Sequence, residues 1–353
     1  MSVFRHCGLA LVAALVVLVL GAAPATAMME FEERVAGAGG VSLAGTLALP
    51  SDRPQTKLPA VLLIQGSGPT NRNGNQPPNF TTDLEKQLAE ALARAGIASL
   101  RLDKRGMGAN SAEMPRDLAT AARFFAWDNT VDDAVAAWRW LEARADIDPK
   151  RIAILGHSEG GLVALAAAER LAQAGRAPAA LVLASTPGRP FGAVIDEQLR
   201  NVLKKQDAPP RVVATVMAAN DGILAWIRKT GEVPARVPNE LRALYPPYIG
   251  PFLAPLLRLD PAELAKPYAG PVLVVQGAED IQISAERDAG ALDAALGERP
   301  KDDHETIVAP SVSHNLKPVA RPDEPGFWGS IAPAVLDPLV AWLAAKLEAA
   351  APP

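Results

Sequence analysis

The chain has 353 residues, 49% of them hydrophobic, and a formal net charge of −4 at pH 7. This length suffices for one large α/β domain and is marginal for two. Lysines and arginines occur singly or in adjacent pairs, without a longer basic run, so the composition gives no reason to expect nucleic acid or an anionic membrane surface as a partner.

The first residues have the pattern of a secretory signal peptide. Arg5 precedes the apolar run 9–20, and the small residues at 25–27 follow it. A positive start, an apolar run of about a dozen residues and an Ala-x-Ala site are the parts of such a peptide. Since the run is short for a membrane span of roughly 20 residues, we expect residues 1–27 to be cleaved after Ala27. The mature protein would then be periplasmic or extracellular, with no stable membrane anchor.

The chain has one cysteine, Cys7, and it lies within this segment. A lipoprotein cysteine follows the apolar run, whereas Cys7 precedes it, so we do not expect lipid anchoring. Cleavage would leave an exported protein without disulfides. We therefore expect its stability to come from a hydrophobic core.

Short apolar runs alternate with segments of helical periodicity over most of the remaining chain. The pattern predicts a mostly parallel sheet covered by helices on both faces, preceded by one antiparallel strand. Strands are predicted at 41–49, 59–64, 97–102, 152–155, 180–184, 271–275 and 305–309. Helices are predicted at 83–95, 130–143 and 331–347.

One long stretch, residues 186–268, interrupts this alternation. It is helix-like and proline-rich and contains no clear buried strand. An insertion at this point predicts a helical cap, at about 187–268, over the carboxyl end of the sheet. Two interpretations of its aromatic residues stay open, packing within the cap or lining of a substrate pocket. These residues are Trp226, Tyr245, Tyr248 and Phe252.

The segment Gly156-His157-Ser158-Glu159-Gly160 carries the clearest chemical pattern. It lies between the predicted strand 152–155 and an alanine-rich helical stretch. A G-x-S-x-G sequence between a strand and a helix is typical of a nucleophile elbow, a turn so tight that glycines are needed on both sides of the serine. Ser158 is therefore the predicted nucleophile.

A serine hydroxyl needs a base to become a nucleophile at neutral pH. Beyond residue 27 the chain has three histidines. His157 adjoins the serine in the turn, so its side chain should diverge from that of Ser158. His304 precedes the last predicted strand and belongs to the opposite edge of the sheet. His314 follows that strand, at the carboxyl edge where sites of parallel sheets form, and is the predicted base.

The base in turn needs an acid to orient it. A carboxylate that follows a strand on the same edge, between the serine and the histidine in chain order, would meet this need. Asp280 follows the strand 271–275 after a short turn and is the predicted acid, with its neighbour Glu279 as the alternative.

Acyl transfer also requires hydrogen-bond donors for the oxyanion of the tetrahedral intermediate. One predicted donor is the backbone N–H of Glu159, directly after the nucleophile. The other is expected from the glycine-containing loop after the strand 59–64, with Ser67 as the first choice and Gly66 as the second. Glycines let a backbone approach a substrate closely.

The order Ser158, Asp280, His314 on alternating strands and helices resembles that of the α/β-hydrolase superfamily. The resemblance implies an α/β-hydrolase fold over residues 28–353, with the cap inserted at about 187–268. It also implies a serine hydrolase that needs neither a metal nor an organic cofactor.

Three loop segments extend the resemblance. Residues 66–75 look like the oxyanion loop of exported bacterial carboxylesterases, although Gln65 stands where that loop usually opens with histidine. Residues 103–108 resemble the D-x-R-G-x-G turn of the superfamily, in which Asp103 and Arg105 are expected to hold loops by local hydrogen bonds. Residues 280–283 look like its acid loop.

These observations predict a carboxylesterase that acts on a small-molecule ester through an acyl-enzyme. Two alternatives stay open. A serine peptidase acting on short peptides would use the same groups, since ester and amide hydrolysis share the acyl-enzyme path. A binding protein could retain the fold without catalysis. Thioesters of coenzyme A are not expected as substrates of an exported protein.

Overall fold

The computed structural model describes residues 28–52, 56–299 and 303–348. The predicted signal peptide, with its cleavage site, therefore lies outside the described residues. Within those three ranges, none of the helices combines the length and the apolar character that crossing a membrane requires.

The described residues form a sheet of eight strands: β1 (Met28–Ala36), β2 (Ser42–Pro50), β3 (Leu58–Ile64), β4 (Ala98–Leu102), β5 (Ile147–His157), β6 (Leu181–Ala184), β7 (Val272–Gly277) and β8 (His304–Ala309). Their order in the sheet is β1-β2-β4-β3-β5-β6-β7-β8. β2 is antiparallel to both of its neighbours, and the strands that follow it in this order are parallel to one another.

Helices cover both faces of this sheet. They are α1 (Leu84–Arg94), α2 (Leu118–Phe124), α3 (Trp127–Glu142), α4 (Glu159–Gln173), α5 (Phe191–Lys205), α6 (Pro210–Thr230), α7 (Gly250–Leu256), α8 (Pro261–Ala265), α9 (Gly290–Gly297) and α10 (Pro333–Lys346). Successive strand residues alternate between two cores, as the period of two requires. Ala60 and Leu62 of β3 face the core formed with α3, α4 and α9, whereas Val61 and Leu63 face the core formed with α1 and α10.

The mostly parallel sheet with flanking helices confirms the predicted fold class. The sequence did not predict β1, whose residues are largely exposed on the edge of the sheet. Charged side chains on an edge strand protect it from pairing with other chains, and they also hide its hydrophobic pattern.

Helices α5, α6 and α7, hereafter the α5–α7 unit, follow β6 and have an apolar core of their own. α8 differs, because its Ala265 is buried in the core of the sheet. The division of the chain into a main domain and a cap at about 187–268 stays a prediction.

Candidate active site

Ser158 occupies the sharp turn between β5 and α4. Its backbone has φ 55° and ψ −123°, a conformation that a residue with a side chain rarely adopts. The N–H of Ser158 donates a hydrogen bond to the carbonyl of Ala184 at 2.8 Å, which ties the turn to the end of β6. The surrounding structure thus holds a strained serine at the carboxyl edge of the sheet.

The glycines on both sides of the turn are required by close backbone contacts. A Cβ on Gly156 would lie 2.1 Å from the carbonyl oxygen of Gly160. A Cβ on Gly160 would lie 2.3 Å from the carbonyl oxygen of Ile64 at the end of β3. The structure therefore supplies the physical reason for the G-x-S-x-G spacing.

Asp280 and His314 meet at the same edge. The His314 Nδ1 atom lies 2.8 Å from Asp280 Oδ2, and the Asp280 side chain is fully buried. Gln276 Nε2 donates to the same carboxylate oxygen at 2.8 Å. The N–H groups of Gln282 and Ile283 donate to the other oxygen, Oδ1, at 2.7 and 2.9 Å. The carboxylate is thus oriented by four donors.

Glu279, the alternative acid, takes a different position. Its N–H donates to the carbonyl of Val312 at 2.9 Å, which holds the acid loop against the histidine loop. Of the two neighbouring carboxylates, it is Asp280 that bonds to His314.

His157 supports the histidine loop. Its Nε2 atom lies 2.8 Å from the carbonyl oxygen of His314, and the Ser185 hydroxyl donates to the same oxygen at 3.0 Å. Because a carbonyl can only accept, Nε2 of His157 carries a proton. Burial lowers the pKa of His157 to about 3, so the ring is neutral. His157 therefore holds the backbone of His314 in place.

His304 lies at the start of β8, opposite Val272, and its Nε2 atom is 3.2 Å from Asp293 Oδ1. It is therefore at the other end of the strand from the histidine loop, as the sequence predicts.

One cavity of about 150 Å³, hereafter the site cavity, brings the predicted residues together. Ser158, His314, Gly66 and Ser67 all line it. Asp280 lies behind His314. The five residues therefore come from four separate loops, which follow β3, β5, β7 and β8.

The predicted oxyanion donors lie beside the serine. A Cβ on Gly66 would lie 3.1 Å from the Cβ of Ser158. In the part of the chain that the structure describes, the backbone N–H groups of Ser67 and Glu159 donate to no protein acceptor. Both groups are thus available to an incoming oxygen atom.

A second cavity of about 510 Å³, hereafter the large cavity, adjoins the first and shares Ser67, Phe191 and Gln198 with it. It lies between the carboxyl ends of β3 and β4 and the α5–α7 unit. Tyr248 and Phe252 line it.

The other two aromatic residues in question lie elsewhere. Tyr245 is buried in the core of the α5–α7 unit, where its hydroxyl donates to Asn220 Oδ1 at 2.5 Å. The Trp226 side chain is exposed. Two of the four aromatic residues therefore line a pocket, one packs inside the unit, and one faces solvent.

Asp103 and Arg105 hold neighbouring segments by hydrogen bonds, as predicted, but their partners Arg72 and Asp133 are distant in the sequence and not local. Asp103 accepts hydrogen bonds from the N–H of Arg72 at 2.7 Å and from Nη2 of Arg72 at 2.9 Å. Arg105 donates to both carboxylate oxygens of Asp133 on α3, at 2.7 and 2.8 Å.

Sequence reasoning missed several residues that support the site. Ser185 and Lys104 act through contacts with residues that are distant in the sequence, so no local pattern marked them. Gln276 contacts Asp280 four residues along the chain, but a single glutamine near the end of a strand forms no distinctive pattern. In residues 28–52, 56–299 and 303–348, no group of three or more His, Cys, Asp or Glu side chains is arranged to hold a metal ion.

Comparisons with known proteins point to hydrolases. A family model described as serine aminopeptidase S33 matches residues 82–217. The esterase EstD of Thermotoga maritima is 28% identical over 255 residues, which cover 72% of this chain and 53% of that protein. The chain therefore spans about half the length of this curated relative.

Solved structures show the same fold at low sequence identity. The carboxylesterase EstE1, cloned from a metagenomic library, superposes with a TM-score of 0.55 at 17% identity, over 90% of this chain and 89% of that one. A puromycin-hydrolyzing peptidase of Mycobacterium tuberculosis gives a TM-score of 0.54 at 20% identity, over 92% of this chain and 39% of that one.

Proposed function

The chain belongs to the α/β-hydrolase superfamily, and we propose that it is a serine hydrolase that cleaves carboxylic esters through an acyl-enzyme. The observation that carries the proposal is the hydrogen bond between Asp280 and His314 at 2.8 Å, with His314 and the strained Ser158 on the wall of one cavity. This arrangement supports Ser158 as the nucleophile, His314 as the base and Asp280 as the acid.

The hydrogen bond at Nδ1 of His314 supports these roles. Because the carboxylate of Asp280 accepts the Nδ1 proton, Nε2 of His314 has a free lone pair and takes the proton of the Ser158 hydroxyl. The Ser158 oxygen attacks the ester carbonyl, and the protonated His314 then delivers its proton to the leaving alcohol. A water molecule, activated by the same histidine, hydrolyses the acyl-enzyme and regenerates Ser158.

The negative charge that develops on the carbonyl oxygen would be stabilised by the N–H groups of Glu159 and Ser67, with Gly66 as the second choice in that loop. In a partly buried site, fixed donors stabilise such a charge more than water does.

The large cavity favours an ester with a sizeable apolar substituent. Most of its lining side chains are aliphatic or aromatic, including Phe191, Ile249 and Phe252. Since apolar groups leave water favourably, an acyl or alkyl chain would occupy this space while the ester carbonyl lies at Ser158.

A serine peptidase is the second candidate, because the matching family model is named for an aminopeptidase. An aminopeptidase needs a carboxylate for the substrate ammonium. The acidic residues that line the large cavity are each bound to a cation: Asp103 to Arg72, Asp133 to Arg105 and Glu159 to Lys104. This pairing favours the esterase.

The pattern of residues 1–27 adds a location to the proposal. We infer that the protein is exported and cleaved after Ala27. Immunoblotting of periplasmic and cytoplasmic fractions, with N-terminal sequencing of the mature protein, tests this. A cytoplasmic protein that keeps its first residues would contradict it.

The decisive experiment compares Ser158→Ala with wild type on p-nitrophenyl esters of increasing acyl length and on aminoacyl amides. We expect the wild type to prefer esters, and the variant to lose at least about 10³-fold in kcat. Ser111→Ala, at an exposed serine, is the matched control and should retain wild-type activity. Undiminished hydrolysis by Ser158→Ala would refute the serine mechanism, and a preference for amides would favour the peptidase.

A further inference from the structure

Lys104 joins the two segments that carry the proposed oxyanion donors. Its Nζ atom donates to the carbonyl oxygen of Gly66 at 2.6 Å and lies 3.1 Å from Glu159 Oε1. The Glu159 side chain is 8% exposed and that of Lys104 is 21% exposed, so the ion pair is largely shielded from water. One ammonium group thus contacts the loop after β3 and the first residue of α4.

The contact with Gly66 fixes the orientation of a peptide group. The carbonyl of Gly66 and the N–H of Ser67 belong to the same planar peptide unit, in which a trans bond directs them to opposite sides. Because Lys104 holds the Gly66 carbonyl on one side of the peptide, the Ser67 N–H is held on the other side. Gly66 itself lies against Ser158. A hydrogen bond accepted by the carbonyl also polarises the amide, which strengthens its N–H as a donor.

The contact with Glu159 concerns charge. Glu159 supplies the other proposed donor through its backbone, yet the same residue, directly after Ser158, carries a buried carboxylate. An unpaired carboxylate there would repel the negative charge of the developing oxyanion. The ammonium of Lys104 neutralises it.

We propose that Lys104 is a positioning residue that sets both oxyanion donors, by clamping the Gly66–Ser67 peptide and by neutralising Glu159. The inference rests on the proposed serine hydrolase function. It assigns a role to the second position of the Asp103-Lys104-Arg105-Gly106 turn, between two residues that hold loops.

The test measures kcat and KM of the full chain on a p-nitrophenyl ester. We expect Lys104→Met to lower kcat about 100-fold, the loss typical of one oxyanion donor, with KM changed less than about threefold. Binding of an alkyl boronic acid, which mimics the tetrahedral intermediate, should weaken in parallel with kcat. Lys104→Arg retains the charge, so its kcat should be at least about tenfold higher than that of Lys104→Met.

A second variant separates the two contacts. Lys104→Met alone leaves a buried unpaired carboxylate, which can prevent folding. The double variant Lys104→Met/Glu159→Gln removes this charge along with the clamp, so it should fold and still show a low kcat. Glu159→Gln alone retains the clamp and should lower kcat less than the double variant.

Three results would overturn the proposal: a wild-type kcat in the double variant, a loss confined to KM, or an unchanged affinity for the boronic acid. A loss confined to KM would mean that Lys104 binds substrate directly. Failure of the proposed function is distinguished from these results, because Ser158→Ala would then hydrolyse the ester as well as wild type.

Discussion

The carboxyl edge of the sheet and the α5–α7 unit are held together by different forces. At the edge, Ser158, Asp280 and His314 are fixed by hydrogen bonds between backbone and buried polar groups, each at a defined distance. The α5–α7 unit is held by an apolar cluster in which one tyrosine–asparagine hydrogen bond is buried. Polar contacts depend steeply on geometry, whereas apolar packing tolerates rearrangement.

This difference indicates that the two regions have different roles. In the proposed mechanism the edge positions the reacting atoms, so a small displacement there would lower kcat strongly. The α5–α7 unit encloses the large cavity, so changes there would alter which substituent fits. We expect substitutions at the edge to affect kcat and substitutions in the unit to affect stability or substrate preference.

The largest effect is expected for Asp280→Asn. If the amide oxygen accepts from Gln282 and Ile283, the NH₂ group faces His314, which must then present a lone pair at Nδ1 and a proton at Nε2. That tautomer cannot accept the Ser158 proton. We expect kcat to fall about 10³- to 10⁴-fold.

Glu279→Gln is the matched control, since it makes the same chemical change one residue earlier, and it should retain kcat within about threefold. A large loss in the control with a small loss in Asp280→Asn would reverse the assignment of the acid.

The next largest effect is expected for a single methyl group added at Gly160. Its Cβ would lie 2.3 Å from one backbone oxygen and 2.7 Å from the next, so β3 and α4 must separate. We expect Gly160→Ala to lower kcat at least about 100-fold and to destabilise the fold by about 1–3 kcal/mol. Activity assays and urea unfolding measure both.

The α5–α7 unit offers the same substitution without the clash. A Cβ on Gly222, inside α6, would meet no atom within 4 Å. Gly222→Ala should therefore stabilise the protein by about 0.5–1 kcal/mol, because alanine favours a helix, and leave kcat unchanged. If both variants behaved alike, the proposed contrast between the two regions would be wrong.

The same contrast explains what the sequence could predict. The buried strands, the elbow and the acid and histidine loops follow local patterns, so residues such as Ser158 and Asp280 were recognisable. Each of the three histidines lies at a predictable end of a predicted strand, and this placement made His314 the candidate base. Each of these inferences used strand direction and the rule that sites form at the carboxyl edge.

The remaining features depend on contacts that no local pattern reveals. The side chain of Lys104 meets Gly66 and Glu159, which are 38 and 55 residues away in the chain. The fates of Tyr245 and Tyr248, three residues apart, differ because one lies in the core of the α5–α7 unit and the other faces the large cavity. Both lie in the connection between α6 and α7, where no helical period applies, so the sequence could not separate them.

The last prediction concerns the stability contribution of a buried carboxyl on the wall of the site cavity. Glu85 in α1 is 1% exposed, and in the described ranges its Oε2 atom makes no hydrogen bond. Burial raises the pKa of Glu85 to about 7, against the attraction of nearby cations that include Lys104 and Lys317. In the α5–α7 unit, by contrast, burial raises the pKa of Tyr245 further above the range in which Glu85 titrates.

The difference between the folded and unfolded pKa of Glu85 determines how its contribution to stability changes with pH. Between the unfolded pKa near 4.5 and the folded pKa near 7, folded Glu85 keeps a proton that the unfolded chain has lost. Its contribution to stability is therefore fully present below about pH 4.5 and is lost as the pH rises through 7. Glu85→Gln removes this dependence. We expect the unfolding free energy of the variant, minus that of wild type, to rise on the order of 3 kcal/mol between pH 4 and pH 8.

Urea unfolding of both proteins across this range measures the difference, and pH effects common to both cancel. Glu90→Gln, on the partly exposed side of the same helix, is the matched control and should parallel wild type. A constant difference for Glu85→Gln would mean that its carboxyl ionises inside the fold as easily as in water. Glu85 would then make no pH-dependent contribution to the unfolding free energy at the carboxyl edge of the sheet. The difference between this edge and the α5–α7 unit would be one of geometry alone.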